Sequence, residues 1–405
     1  MLPKLTAILS GATGDRRIRS IRVLEFHYVT DLMAPAQHSD SELGEQEHLP
    51  NEFFSEDMKA LFGLLKGWEE RLGGSERVAA ERYQLSLFLG RGWGTDVPDL
   101  PLTPPPTEDI VRAPWPDVRY IGEEKLPELS LVSWVTLCER HGIHPESLMQ
   151  IVSRMKYLDR FEGDIFEEGW SLGRTREYRK VLGECLHLLP RSISLFHPDF
   201  LPSVLQPRTL YPVLVDPQRD HLCISIRTLS CQLRKLNLSG LRISPAIFAG
   251  DGDGSYPDWS SLQEVIIGYP VISSTGQWFA NRAPPEVVAY VDPDDDDGYC
   301  TYYAMPNPKL LNELYAAAGK AKQHTPSLKS MHLTLDVDIG KHKFIYYFNQ
   351  ERKRNMITLE SGIPFEFSEE VAEAWGFSLD AVNSIKEGNM TFYEGGVTVN
   401  EVIVA

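Results

Sequence analysis

The chain has 405 residues, 40 Lys+Arg against 57 Asp+Glu, a formal net charge of −17, and hydrophobic and charged fractions of 42% and 24%. Those fractions are ordinary for a globular protein and exclude wholesale disorder. The longest apolar runs, such as Val265-Ile266-Ile267, fall far below the ~18 residues of a membrane-spanning helix, and the acidic balance opposes a general grip on DNA or RNA, whose phosphates require a basic surface.

The first strand is expected over Ile18–Tyr28, where residues alternate. Ser55-Glu56-Asp57 then reads as the start of a helix, a cap residue followed by acids that meet the positive end of the macrodipole. Met58, Leu61, Phe62, Leu65, Trp68 and Leu72 follow at spacings of three and four, a single apolar stripe. Gly73-Gly74 ends it, and Gln84–Gly90 reads as a second strand. Seven prolines between Pro98 and Pro116 leave no regular element there, so 97–118 is expected to be an extended loop.

From about residue 120 a helix followed by a short strand recurs. Pro145 suits a first helical turn, with Leu148, Ile151, Val152 and Met155 on one face, and Tyr157–Phe161 is the strand after it. Tyr178, Val181, Leu182, Cys185, Leu188 and Leu189 mark the next helix, and Ile193–Phe196 its strand. The sharpest unit runs from Leu233 to Ile243 and spells L-x-x-L-x-L-x-x-L-x-I, the core pattern of a leucine-rich repeat. Two later strands share its phase through Leu262, Val265 and Ile267 and through Leu328, Met331 and Leu333. The last is preceded by a helix with Pro308 at its start and Leu310, Leu311, Leu314 and Tyr315 inside.

One such unit cannot bury its apolar face alone, so neighbours must stack. The intervals are uneven, 29 residues from Leu236 to Val265 and 66 from Val265 to Met331, where a regular horseshoe keeps a period of ~20–29. Long insertions follow. Lys343–Asn349 and Met356–Glu360 then read as a hairpin around the charged turn Gln350–Asn355, with a further run at Ile363–Phe367 and a helix within 369–387. Such a hairpin would cap an open array.

The chemical motifs are incomplete. Ile8-Leu9-Ser10-Gly11-Ala12-Thr13-Gly14 resembles the first strand and turn of a dinucleotide site, but Arg17 stands where a third glycine is wanted and strand-like residues resume by Ile18. Asp251-Gly252-Asp253-Gly254-Ser255 opens like a calcium loop, yet Tyr256 and Leu262 occupy the glycine and glutamate positions. Asp292 and Asp294–Asp297 read as a solvated acidic loop. His141 and His144 are split by Gly142 from any shared helix face, and no third ligand is near. Five scattered cysteines, odd in number and without a C-x-x-C pair, read as reduced thiols. The Leu5–Leu9 run is short for a secretory signal, so the Asn237 and Asn389 sequons read as chance matches and the cytoplasm or nucleus is the expected compartment.

Taken in order, the strand Ser20-Ile21-Arg22-Val23-Leu24-Glu25, the helix Leu61-Phe62-x-Leu64-Leu65-x-x-Trp68, the strand Leu85-Ser86-Leu87, the uneven leucine-rich units, Phe344-Ile345-Tyr346-Tyr347 and the segment from Phe365 to Trp375 resemble the fungal F-box-like proteins with irregular leucine-rich repeats. The resemblance covers about 18–376. It implies a substrate receptor whose N-terminal helical F-box docks on a ubiquitin-ligase adaptor while the repeats select a client. Residues Leu2–Leu9 offer at most a remnant of that module, so ligase docking requires an F-box this sequence does not spell.

The expected fold is α/β: an irregular leucine-rich-repeat-like solenoid of helix–strand units with a C-terminal β-hairpin cap. Its expected parts are the start of the array (1–96), the Pro-rich loop (97–118), the repeat units (119–340) and the hairpin and cap (341–405). The residues between the leucines would line the open flank of the strands, and Lys235, Asn237, Glu264, Ile266, Ser330, His332 and Thr334 are the expected partner-binding residues. The expected function is a non-catalytic protein-binding scaffold with a protein partner, no cofactor, and neither nucleic acid nor membrane as target. Its rivals are an enzyme of unfamiliar type, with a cleft near the acidic insertions and His332, and a truncated family member without activity.

Overall fold

The computed structural model describes residues 2–29 except 12, 48–76, 83–92, 118–138, 142–166, 172–201, 213–215, 220–250, 256–282, 303–337, 342–361 except 352, 365–379 and 398–404. The acidic stretches 251–255 and 292–297, His141 and all of the Pro-rich segment but Val118 lie outside the described residues. The chain is mixed α/β, its sheets are mostly parallel, and eight α-helices fall among the described residues. It divides into two compact units, Met1–Trp170 with Cys185–Pro198, and Ser171–Glu184 with Asp199–Ala405.

The first unit opens with helices α1 (Leu2–Leu9) and α2 (Gly14–Ser20), then strand β1 (Val23–Val29). The expected strand thus begins later than Ile18, and Ile8-Leu9 lies in a helix instead of the strand a dinucleotide site needs. The reason is tertiary: Ile18 is fully buried, and Arg71 ties both helices down by donating to the Leu9 carbonyl at 2.7 Å and to Asp15 at 2.9 Å. Helix α3 (His48–Arg71) begins about two turns before Ser55. Ser55 is not its cap: the hydroxyl donates back to the Asn51 carbonyl at 2.7 Å and accepts the Ile121 N–H at 2.9 Å. The predicted stripe from Met58 to Leu72 is buried throughout, and Gly73 and Gly74 end the helix with φ of +100° and +86°.

Strands β2 (Leu85–Gly92), β3 (Val132–Leu137) and β4 (Arg160–Phe166) join β1 in sequential parallel order. Parallel neighbours need crossovers, and these carry helices. Helix α4 (Pro145–Val152) has Pro145 at its first turn and buries Leu148, Ile151 and Val152. Strand β4 starts three residues after the expected Tyr157, because the Leu158 N–H turns back to the Met155 carbonyl and the Asp159 backbone bonds Ser133 and Leu195. Glu69 is fully buried on α3. Burial alone would raise its pKa, but hydrogen bonds from Lys66, Ser75 and the Ser130 backbone outweigh it and hold the carboxyl below its ordinary value. Strand β5 (Leu195–Leu201) closes this run, and the division between units falls at its Pro198.

The second unit holds helix α5 (Leu172–Cys185), helix α6 (His221–Ser230) and strands β6 (Lys235–Leu238) and β7 (Glu264–Pro270), followed by the small antiparallel pair β8 (Ala280–Arg282) and β9 (Tyr303–Pro306). Helix α7 (Pro308–Gln323) leads into β10 (Ser330–Asp336), and β6, β7 and β10 pair in parallel. The insertion expected between Val265 and Met331 therefore contains β8, β9 and α7. Strands β11 (His342–Asn349) and β12 (Arg354–Ser361) form the expected hairpin, with Lys353 at φ +50° in its turn. Strand β13 (Thr398–Val404) adds to β12 antiparallel. Phe365–Phe367 is not a strand. Its rings instead pack beside Tyr315 and Phe344, and helix α8 (Glu369–Trp375) follows with Ser368 as its cap.

A buried polar knot holds the α5–α6 end of this unit. Asp220 accepts the Cys223 N–H at the start of α6 and the hydroxyls of Ser244 at 2.9 Å and Ser274 at 2.5 Å. Arg179 lies 3.7 Å away and donates to the Arg242 carbonyl at 3.0 Å. Burial pushes the Asp220 pKa up, but the Arg179 guanidinium and these donors more than offset that and leave it lowered.

Candidate functional site

Leucine phasing becomes geometry in β6, β7 and β10. Leu236, Val265 and Met331 stand in one cross-strand row, and Leu238, Ile267 and Leu333 in the next. All six are buried, each contributing on the order of 1.5–3 kcal/mol by leaving water. Strand side chains alternate between faces, so the residues between them must face the other way. The register then assembles all seven predicted partner-binding residues. Lys235 pairs with Glu264 and Glu264 with Ser330. Asn237 pairs with Ile266 and Ile266 with His332. Thr334 sits opposite Gly268. Every one of them is half-buried.

The same face continues onto β11, where Ser330 meets Tyr347, His332 meets Ile345 and Thr334 meets Lys343. Sequence reasoning misses these three half-buried residues because it assigns the Lys343–Asn349 alternation to a cap alone. Their odd-numbered positions, out of phase with buried Phe344 and Tyr346, are the available signal. On β12, Lys343 then pairs with Glu360, while Ile345 pairs with the buried Thr358.

The middle row of the face carries two isoleucines between and beside uncharged polar side chains, and charges stand on either side. Ile266, His332 and Ile345 lie in line. Lys235 and Glu264 form an ion pair at 3.0 Å on one flank, and Lys343 stands opposite Glu360 on the other. Burial lowers the His332 pKa. Glu264 and Glu360 act against that shift, and Lys343 and Lys235 act with it. The ring is therefore neutral at physiological pH and presents an amphipathic surface instead of a charge.

Among the described residues no three His, Cys, Asp or Glu side chains are placed to hold a metal ion. His144 is buried and pairs through Nε2 with Arg119 at 3.0 Å. In the first unit Gly90 stands between His27 and Cys138, and His27 contacts Glu25 at 2.9 Å. This arrangement does not activate the thiol: burial, with Glu25 and Asp164 adding to it, pushes Cys138 up. Among the described residues no helix is long and apolar enough to cross a membrane.

Comparison with family models, with curated proteins and with solved structures finds no match to this chain.

Proposed function

We propose that this chain is a non-catalytic protein-binding scaffold and that the open face over β6, β7, β10 and β11 is its contact surface. The observation that carries the reading is the register placing Ile266 and His332 side by side, with Asn237 and Ile345 extending the row, the Lys235–Glu264 ion pair on one margin and Lys343 opposite Glu360 on the other. An apolar centre with a polar rim is the anatomy of a protein interface. A paired sheet also holds its side chains in fixed relation, which lowers the ordering cost of association.

The finer reading is an irregular leucine-rich-repeat-like array with a hairpin cap. Sequential parallel strands in each unit, L-x-x-L-x-L phasing from Leu233 and the antiparallel β11–β12 pair support it. In that frame the chain serves as a client-selecting subunit of the kind found in ubiquitin ligases, acting inside the cell. The test compares wild type with Ile266→Asp in affinity purification from native extract, with circular dichroism to show both are folded. A specific protein captured by wild type and lost from the variant is the expected result. An identical set of captured proteins from both sinks the assignment of this face.

A further inference from the structure

The second unit contains a cavity of 580 Å³ that the open face does not use. It lies where the end of α7 and the turn after it approach β11 and β12, and it is lined in part by Gln263, Lys322, Lys329, Tyr346, Phe348 and Asn355. Its volume falls within the ~300–1,000 Å³ typical of small-molecule sites.

Its charge is the first anomaly. The chain carries a net −17, yet among the described residues two lysines and no aspartate or glutamate line this cavity. The second is a set of donors that its internal bonds leave unspent. Lys329 donates to Gln263 Oε1 at 2.8 Å, and the Tyr346 hydroxyl donates to Asn355 Oδ1 at 3.0 Å. The Gln263 and Asn355 amide oxygens are thus engaged, which leaves their NH2 groups to donate, while the Gln323 NH2 is spent on the Ala374 carbonyl at 3.0 Å. Lys329 keeps two further N–H bonds to offer, and Lys322 stands 5.6 Å from the Tyr346 ring centre. A helix C-terminus ordinarily repels anions. Here the Ala321 and Lys322 carbonyls are already bonded by the His324 N–H, the Thr325 N–H and the Thr325 hydroxyl. The third feature is apolar: Phe348, 46% exposed, lines the cavity and offers its ring for contact.

We infer that this cavity binds a phosphorylated ring compound of mononucleotide size, its phosphate between Lys322 and Lys329 and its ring against Phe348. A phosphomonoester carries nearly two negative charges and three acceptor oxygens near neutral pH. That matches two ammonium groups and two amide donors better than a carboxylate does. The Phe348 face supplies the stacking surface that a flat ring takes.

Isothermal titration calorimetry on the full chain tests this with AMP as probe, adenosine as the neutral control and inorganic phosphate as the ringless one. AMP is expected to bind saturably and more tightly than either control. Lys329→Gln and Phe348→Ala, both at exposed positions, are each expected to weaken it roughly tenfold, about 1.4 kcal/mol. Ile266→Asp is expected to leave it unchanged, which separates this site from the open face. No saturable AMP binding, or AMP binding that survives the Lys322→Gln/Lys329→Gln double substitution with circular dichroism unaltered, overturns the assignment.

Discussion

The indole of Trp375 on α8 lies against Gly319 of α7, so closely that a Cβ on Gly319 would stand 2.7 Å from two atoms of the ring. The same indole donates its N–H to the Tyr315 carbonyl at 2.8 Å, and its ring centre is 5.1 Å from that of Phe344. One missing methyl group therefore lets a helix, its successor and the sheet share one aromatic core. Alanine ordinarily favours a helix over glycine by about 1 kcal/mol. Here overpacking, typically about 1–3 kcal/mol, opposes that gain. Gly319→Ala is expected to lower the thermal midpoint, and a midpoint equal to or above that of wild type would show the α7–α8 contact to be looser than described.

Acid stability should carry the mark of His342. The imidazole is fully buried, its Nδ1 is 3.0 Å from the Ser361 hydroxyl, and burial lowers its pKa to about 4 from an ordinary value of 6.5. The folded pKa lies below the unfolded one, so protonation favours the unfolded chain. The stabilisation is complete above pH 6.5 and declines as pH falls towards 4, by up to about 3 kcal/mol. Urea midpoints measured across that window are expected to fall with pH in wild type. In His342→Phe the slope should flatten, and an undiminished slope would assign the effect to another group.

Asp220 should be among the most sensitive positions in the second unit. Its carboxylate faces Arg179, and both side chains are 2% exposed. Removing one member of a buried pair leaves the other charge without compensation, at a cost of about 3–5 kcal/mol. Asp220→Ala also strands the hydroxyls of Ser244 and Ser274 and uncaps α6. Chemical denaturation at neutral pH is expected to show a loss of that size. By contrast, Lys235→Ala breaks only a partly exposed ion pair and is expected to change stability by less than about 1 kcal/mol. Equal losses from the two substitutions would contradict the burial argument.

Much of the fold is legible in single segments. The α3 stripe, the Pro145 and Pro308 helix starts, the β11–β12 hairpin and the L-x-x-L-x-L strand all depend on local periodicity or on the fixed φ of proline. The expectations fail where a distant contact overrides the local signal. Ser55 resembles a cap because serine before acids is one elsewhere, but Ile121 and Asn51 occupy its hydroxyl. Ile18–Ser20 alternates like a strand, yet the Arg71 anchor beneath α1 and α2 keeps it helical.

The candidate surface shows the same division. Alternation along β6, β7 and β10 is enough to name seven residues on the side away from the leucines, because a strand can turn only every second side chain to its core. Which of them would be neighbours, and that β11 would extend their row with Lys343, Ile345 and Tyr347, depended on strand order and register. The cavity beside Lys322 and Lys329 has no trace in the sequence at all. Its lining comes from Gln263, from the end of α7 with the turn after it, and from the β11–β12 hairpin, and only their packing brings those donors to one place.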